Sequence, residues 1–327
     1  MNYFRSSAKG IICLLCKHYC ELKEGKSGIC GINFNRGGEL VNITYAHPST
    51  INLDPIEKKP LYHFLPSTSS LSLGTVGCNL RCPFCQNYTI SQTSSVDESI
   101  TVSPQEVVDL ALKHGAKSIS YTYNEPAIWY QYARDIGMLA KEAGLANIFV
   151  SSGYESSEVL ADMPSWVNAA NIDLKSFSHD YYKKTLKAGL DGVLETLKTV
   201  AKSSIHLEVT TLIIEGVNDG EIEQMARFIA TELGCDVPWH LSAFYPNYKM
   251  LGTTPTTPST LFEAKQIAKN AGLEYVYIGN IANDSSSYCP KCSAKLVDRS
   301  AYNAKIVGLK NGRCKACNYA IKGVWGD

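Results

Sequence analysis

The sequence predicts an α/β fold, a partial or full (βα) TIM-like barrel with a small Cys-rich N-terminal module and a zinc-ribbon-like C-terminal module. Two observations carry that prediction. Between residues 66 and 284 short apolar runs alternate with amphipathic stretches, and eleven of the twelve cysteines gather in three groups, two of them outside those bounds. Residues 1–65 are therefore expected to form a metal-binding N-terminal region, 66–284 the barrel, and 285–327 the C-terminal module.

In the N-terminal region a Gly37-Gly38 turn precedes a strand-like stretch, Glu39 to Tyr45. The expected barrel strands run Ser70–Gly74, Ser118–Tyr123, Asn147–Val150, Ala169–Leu174, His206–Ile214, Trp239–Ala243 and Tyr275–Ile278. Helical patterns separate them, each with a start signal. Ser103-Pro104 places a serine at the cap and a proline at the first helical position. Asn218-Asp219 opens a helix that reaches Leu233 and stops at Gly234. Strands alternating with helices imply a parallel sheet, whose chemistry lies at the C-terminal ends of the strands.

Composition narrows the function. The 327 residues are 45% hydrophobic and 19% charged, as in ordinary globular proteins. Its 31 basic residues balance 31 acidic ones, so the basic excess of a nucleic-acid binder is missing. No apolar run approaches the roughly 20 residues of a membrane span. The run Ile11–Cys16 behind Arg5 and Lys9 imitates a signal peptide, but it ends at Lys17-His18 without a small-residue cleavage site, so a cytoplasmic location is expected. There, clustered cysteines read as metal or cluster ligands rather than disulfides. Cys235 stands alone and is expected to be a small buried residue.

One group, Cys78-x3-Cys82-x2-Cys85, lies in a single loop after the first barrel strand. Four thiolates would close a cubane [4Fe–4S] cluster, and three leave one iron open. An open iron can chelate the amino and carboxylate groups of S-adenosylmethionine (SAM). An electron from the cluster then cleaves SAM to a 5′-deoxyadenosyl radical. The competing reading is a zinc knuckle with a remote fourth ligand, but zinc sites close with paired units and this loop has an unpaired cysteine.

Polar residues follow the next strands. Asn124-Glu125-Pro126 offers a carboxylate to the ammonium of SAM, and also suits a helix start. Ser151-Ser152-Gly153 offers hydroxyls and a close backbone approach to a ribose or carboxylate, or forms a plain turn. Asp173 and Lys175 share one face of their strand, as site residues or as a buried ion pair. His240, inside an apolar strand, reads more as a hydrogen-bonded core residue than as a catalyst, and is otherwise a substrate-side candidate.

The outer groups each offer four ligands. Cys289, Cys292, Cys314 and Cys317 form two C-x2-C knuckles that suit a structural zinc, with an auxiliary iron–sulfur cluster as the alternative. Cys13, Cys16, Cys20 and Cys30 suit zinc or an auxiliary [4Fe–4S] cluster equally.

Several segments carry a family resemblance: Asp54 to Phe64, Ser72-Leu73-Gly74, Cys78 to Asn87, Tyr121 to Pro126, Trp239 to Ser242, Phe244-Tyr245-Pro246 and Tyr277 to Asn280. Across nearly the whole chain the sequence resembles the radical SAM protein of the AmmeMemoRadiSam system, itself similar to the activating enzymes of glycyl-radical proteins such as pyruvate formate-lyase. The resemblance implies the radical SAM barrel and SAM contacts from Glu125, Asp173 and Lys175, with Asn280 at the adenine. The wider superfamily has Gly-Gly-Glu where this sequence has Tyr123-Asn124-Glu125. It also implies a flavodoxin- or ferredoxin-type reductant and a Memo-like partner. The expected function is reductive SAM cleavage and hydrogen abstraction from a substrate the sequence does not name. The alternatives are activation of a glycyl-radical partner and a non-catalytic multi-zinc module.

Overall fold

The computed structural model describes residues 2–326. The chain opens with two small antiparallel sheets. The first joins β1 (Phe4–Ser7), β2 (Gly10–Cys13) and β3 (Glu21–Leu22), and the second is a hairpin of β4 (Asn33–Arg36) and β5 (Glu39–Asn42). The hairpin turns at Gly37 and Gly38, both with positive φ, as the paired glycines predict. These sheets share one apolar core with the barrel: Ile11, Leu15, Leu22 and Ile32 pack in the same cluster as Leu73, Val76 and Leu80.

An eight-stranded sheet follows. Its strands are β6 (Thr50–Pro55), β7 (Ser69–Gly74), β8 (Ser118–Tyr121), β9 (Ala146–Ser151), β10 (Ala169–Asp173), β11 (His206–Ile213), β12 (Trp239–Ala243) and β13 (Val276–Gly279). They lie side by side in chain order, β7 to β13 all parallel and β6 antiparallel to β7. The seven expected strands are all present. Their residues are buried on both faces, which is why they read as nearly continuous apolar runs. Among the described residues no ladder joins β13 to β6, so the barrel is partial, and a closed ring is not formed.

The connecting helices are α1 (Pro104–Lys113), α2 (Tyr130–Glu142), α3 (Ser157–Asp162), α4 (Leu190–Ala201), α5 (Ile222–Phe228) and α6 (Pro258–Asn270). Ser103 caps α1 in a reciprocal box, its hydroxyl accepting from Glu106 N while the Glu106 carboxylate accepts from Ser103 N at 2.7 Å. The helix expected from Asn218 to Leu233 is present but changes pitch, continuing after Phe228 as a wider π turn over Ile229–Leu233. Cys235 is exposed and not buried as expected, because Gly234 (φ 127°) swings the chain outward. No described helix is long and apolar enough to cross a membrane.

The floor of the partial barrel is plugged by the segment between β6 and β7. Glu208 on β11, fully buried, accepts from Tyr62 N (3.0 Å), His63 N (2.7 Å), His206 Nε2 (3.1 Å) and His240 Nε2 (2.6 Å). Burial opposes its charge, yet the bonds from His206 and His240 hold its carboxyl well below the usual range. His240 is thus the hydrogen-bonded core residue expected of it.

The C-terminal strands β14 (Ser287–Tyr288), β15 (Lys295–Ser300), β16 (Asn303–Ile306), β17 (Leu309–Lys310) and β18 (Arg313–Cys314) dock on this plug. Proton order can be read along the contact. The Lys322 carbonyl can only accept, so His63 Nδ1 donates to it (2.9 Å) and Nε2 accepts from the Tyr277 hydroxyl (2.6 Å). Tyr277 in turn accepts from Ser287 (2.6 Å), which accepts from Arg299 Nη1 (2.6 Å).

Burial lowers the pKa of His63 from 6.5 to about 3. The unfolded chain therefore binds one more proton than the folded one between those values. Stability is complete above pH 6.5 and declines as pH falls toward 3, by roughly 5 kcal/mol in all. His63→Gln, which cannot titrate, should flatten this acid limb in denaturant titrations at stepped pH. Parallel curves for the two proteins would refute the assignment.

Candidate active site

The loop from Thr75 to Asn87 leaves the C-terminal end of β7 and carries Cys78, Cys82 and Cys85. It needs glycine at position 77, where φ is 87° and an added Cβ would stand 2.8 Å from the Cys30 carbonyl oxygen. Asn124 staples the start of the loop. Its Oδ1 accepts from Thr75 N and Trp129 Nε1, both at 3.1 Å, and its Nδ2 donates to the carbonyls of Val76 (3.2 Å) and Gly77 (2.9 Å). Asn87, at the far end of the loop, donates to the Tyr123 carbonyl at 2.7 Å. Tyr123 takes a left-handed φ of 70°, the conformation a glycine would supply at this position. That costs a non-glycine residue about 1–2 kcal/mol. Its side chain offsets the strain, the phenol donating to Asp54 at 2.6 Å while Lys59 Nζ sits 4.6 Å from the ring centre.

Glu125 is buried at the end of β8. Its carboxylate accepts from Ala127 N (3.1 Å), Ser151 Oγ (2.9 Å), Ser152 N (2.9 Å) and Ser152 Oγ. The Ala127 bond makes Glu125 the cap of the turn Pro126–Trp129, so the helix-start reading is realised together with the serine contacts. Both hydroxyls can rotate away, which leaves room for an arriving ammonium. Ser151 also touches Glu155, whose carboxyl is pushed up to about 7 by burial and by the charge of Glu125. A hydroxyl has one hydrogen, so Ser151 can donate to only one of the two carboxyl groups at a time.

Across the loop, Lys175 Nζ bonds Asp173 Oδ2 at 2.5 Å at the end of β10. Burial opposes the Lys175 charge, but Asp173 and Cys82 hold its pKa above the usual value. Burial pushes the Cys82 thiol up to about 11 against the pull of Lys175, and pushes Cys78, beside Glu125, higher still. Cys78 thus feels the charge of Glu125, and Cys82 the charges of Lys175 and Asp173. Such thiols hold their protons until a cation displaces them, which fits ligands of a metal cluster. Asn280 stands apart, exposed at the end of β13 and bonded to the Ala243 carbonyl at 3.1 Å.

A model of the Radical SAM superfamily matches residues 72–229. Over 98% of its length, the chain is 40% identical to an uncharacterized protein of Methanocaldococcus jannaschii, 98% of which is covered. The chain belongs to the radical SAM superfamily. A putative glycyl-radical enzyme activating enzyme of the same organism is 22% identical over 207 residues, 62% of this chain and 77% of that one. Among solved structures, Streptococcus suis SuiB bound to its precursor peptide SuiA has a similar fold, with a TM-score of 0.51, 10% identity, and coverage of 72% of this chain and 55% of that one.

This radical SAM protein is an enzyme, which removes the non-catalytic multi-zinc reading. Its C-terminal cysteines form a compact four-ligand site. Cys289–Cys317 and Cys292–Cys314 have sulfurs 3.6 Å apart, and all four lie within 4.8 Å of one another. The two knuckles repeat one turn: Ser293 N donates to Cys289 O and Asn318 N to Cys314 O, both at 2.8 Å, with φ 60° and 59°. Among the described residues neither other cysteine group is drawn in so tightly. Of the N-terminal four, Cys20 and Cys30 are adjacent, their thiols lying 3.3 and 3.8 Å from where a Cβ on Gly28 would be. They abut the cluster loop, with His18 Nε2 donating to Asn79 O at 2.9 Å and Arg81 Nη2 donating to Ile29 O.

Sequence reasoning missed Glu155 and Glu208. Glu208, a lone charge on the inward face of an apolar strand, was the detectable one; nothing local marks Glu155. Asn124→Ala frees both ends of its amide from the loop. We expect a loss of roughly 2–3 kcal/mol in unfolding measurements and lower iron content after anaerobic reconstitution. Unchanged iron would show that the loop is held by other means.

Proposed function

We propose that this enzyme cleaves SAM reductively and uses the resulting radical to abstract hydrogen from a small-molecule substrate. One observation carries the reading: Asn87 and Asn124 tie the three-cysteine loop to the end of β8 beside Glu125, whose charge reaches Cys78 while the Asp173–Lys175 pair at the end of β10 reaches Cys82. Cys78, Cys82 and Cys85 would hold three irons of a [4Fe–4S] cluster. When bound, the cluster supplies the electron that splits SAM into methionine and a 5′-deoxyadenosyl radical. Glu125, with Ser151 and Ser152, receives the ammonium of SAM, and Asp173 and Lys175 orient its remaining polar groups. Asn124 positions the loop from behind, and Asn280 borders the adenine side.

The C-terminal four cysteines suit zinc, since sulfurs 2.3 Å from one tetrahedral ion lie about 3.8 Å apart, near the observed 3.6 Å. The N-terminal four suit an auxiliary [4Fe–4S] cluster. A cube holds each thiolate on a different iron and farther from its neighbours than ligands sharing one ion, and this group abuts the catalytic loop. Electrons would come from a flavodoxin- or ferredoxin-type donor in the cytoplasm, and a Memo-like protein is the partner the sequence resemblance supplies. Activation of a glycyl-radical partner is the second reading, supported by similarity to the putative activating enzyme. It requires a persistent protein radical on that partner.

Anaerobically reconstituted protein given SAM and dithionite should form 5′-deoxyadenosine. Cys82→Ala should abolish it, and Glu125→Gln should raise the KM for SAM about tenfold. Undiminished product from Cys82→Ala would sink the reading. Metal analysis should find about eight irons and one zinc per chain; four irons and two zincs would place zinc at the N-terminal group instead.

A further inference from the structure

A cavity of about 590 Å³ lies where the end of β13 meets the C-terminal strands and the Tyr62 plug. Its walls include Tyr62, Tyr245, Asn280, Ser285, Arg299 and Tyr302, and Arg299 is the one charged residue lining it. Arg299 comes from β15 and is 4% exposed.

A guanidinium has five donor hydrogens. That of Arg299 bonds Ser287 Oγ and the Tyr62 carbonyl, and neither partner is an acid. Its Nε is buried without a partner. A buried cation is costly unless paired. The Tyr62 and Tyr277 rings, 4.4 and 5.9 Å from it, compensate only in part. Glu57 feels the Arg299 charge but makes no hydrogen bond to it, and Glu208 is saturated by four other donors. One hydrogen on each of Nη1 and Nη2 is thus left over beside a cavity whose lining contains no acid. At its mouth Tyr245 and Tyr302 are 47% and 51% exposed, two flat faces left uncovered.

We infer that this cavity is the substrate's anion subsite, in which Arg299 binds a carboxylate or phosphate and the tyrosines flank a planar ring. The inference rests on the hydrogen-abstracting function proposed above and gives its substrate a chemical class. It also gives the C-terminal module a role in recognition: the module delivers the one cation at the cavity.

Phenyl phosphate and benzoate are suitable probes, with benzyl alcohol as the uncharged control, titrated calorimetrically into anaerobic holoenzyme. At least one anion should bind saturably while benzyl alcohol does not, and the tighter of the two tells phosphate from carboxylate. Arg299→Gln should weaken that binding about tenfold or more. Tyr302→Ser, at an exposed position that carries none of the Arg299 bonds, should weaken it about threefold. Equal binding by wild type and Arg299→Gln, no saturable anion binding, or equal affinity for benzyl alcohol would each overturn the subsite. If Arg299→Gln loses zinc or fails to fold, Tyr302→Ser decides, and unchanged affinity there overturns the proposal. Wild-type 5′-deoxyadenosine formation is measured on the same preparation. Anion binding without that product defeats the radical reading alone; product without anion discrimination defeats the subsite alone.

Discussion

The carboxylate of Glu208 is the contact on which the lower half of the molecule depends. It sits with no exposure inside the sheet and receives two backbone amides from the plug and two imidazoles from the strands. Such a charge is tolerable only because each donor is in place, and leaving a buried group of this kind unpaired typically costs 3–5 kcal/mol. The amides it fixes belong to Tyr62 and His63. Those residues in turn meet the Arg299 guanidinium and the Lys322 carbonyl of the C-terminal region. One buried acid therefore registers plug, sheet and module against each other.

At the upper end the organising residues are Tyr123 and Asn124. Nearby strain and nearby hydrogen bonds are complementary there. The left-handed turn at Tyr123 aims its own carbonyl at Asn87 and carries the chain to Asn124, and the amide of Asn124 holds the opposite end of the loop. A glycine would reach the same φ without strain, but it would give up the phenol that ties this corner to Asp54 and Lys59. The three-cysteine loop is thus supported by side chains of the neighbouring strand end rather than by its own residues.

Much of this was legible in the sequence. The parallel strands announced themselves as short apolar runs because both faces are covered, and the cysteine spacings marked three ligand groups. The serine cap before Pro104 was readable because its signal is local. What escaped was whatever depends on distant partners. β6 pairs antiparallel at the sheet edge, and nothing in Thr50–Pro55 indicates that direction. The loop-holding role of Asn124 was not readable because its loop partners stand 47 to 49 residues away. Nothing local marks Arg299, since its contact with Tyr62 spans 237 residues. Barrel closure was undecidable because strand count alone does not specify whether the first and last strands meet.

The plug has a consequence for how the molecule is made. Its residues leave a ribosome before any of the seven parallel strands, yet His63 is completed by Lys322, 259 positions later. Contacts of that separation are assembled last, since the entropy of closing so long a loop must be met before the contact rewards it. Until the C-terminal strands arrive, the ring faces of Tyr62, Tyr275 and Tyr277 that they cover lie bare. A nascent chain can thus align its parallel strands and gather the cysteines of the loop after β7 while its underside is still adhesive, and the C-terminal strands serve it as the cover that ends that exposure.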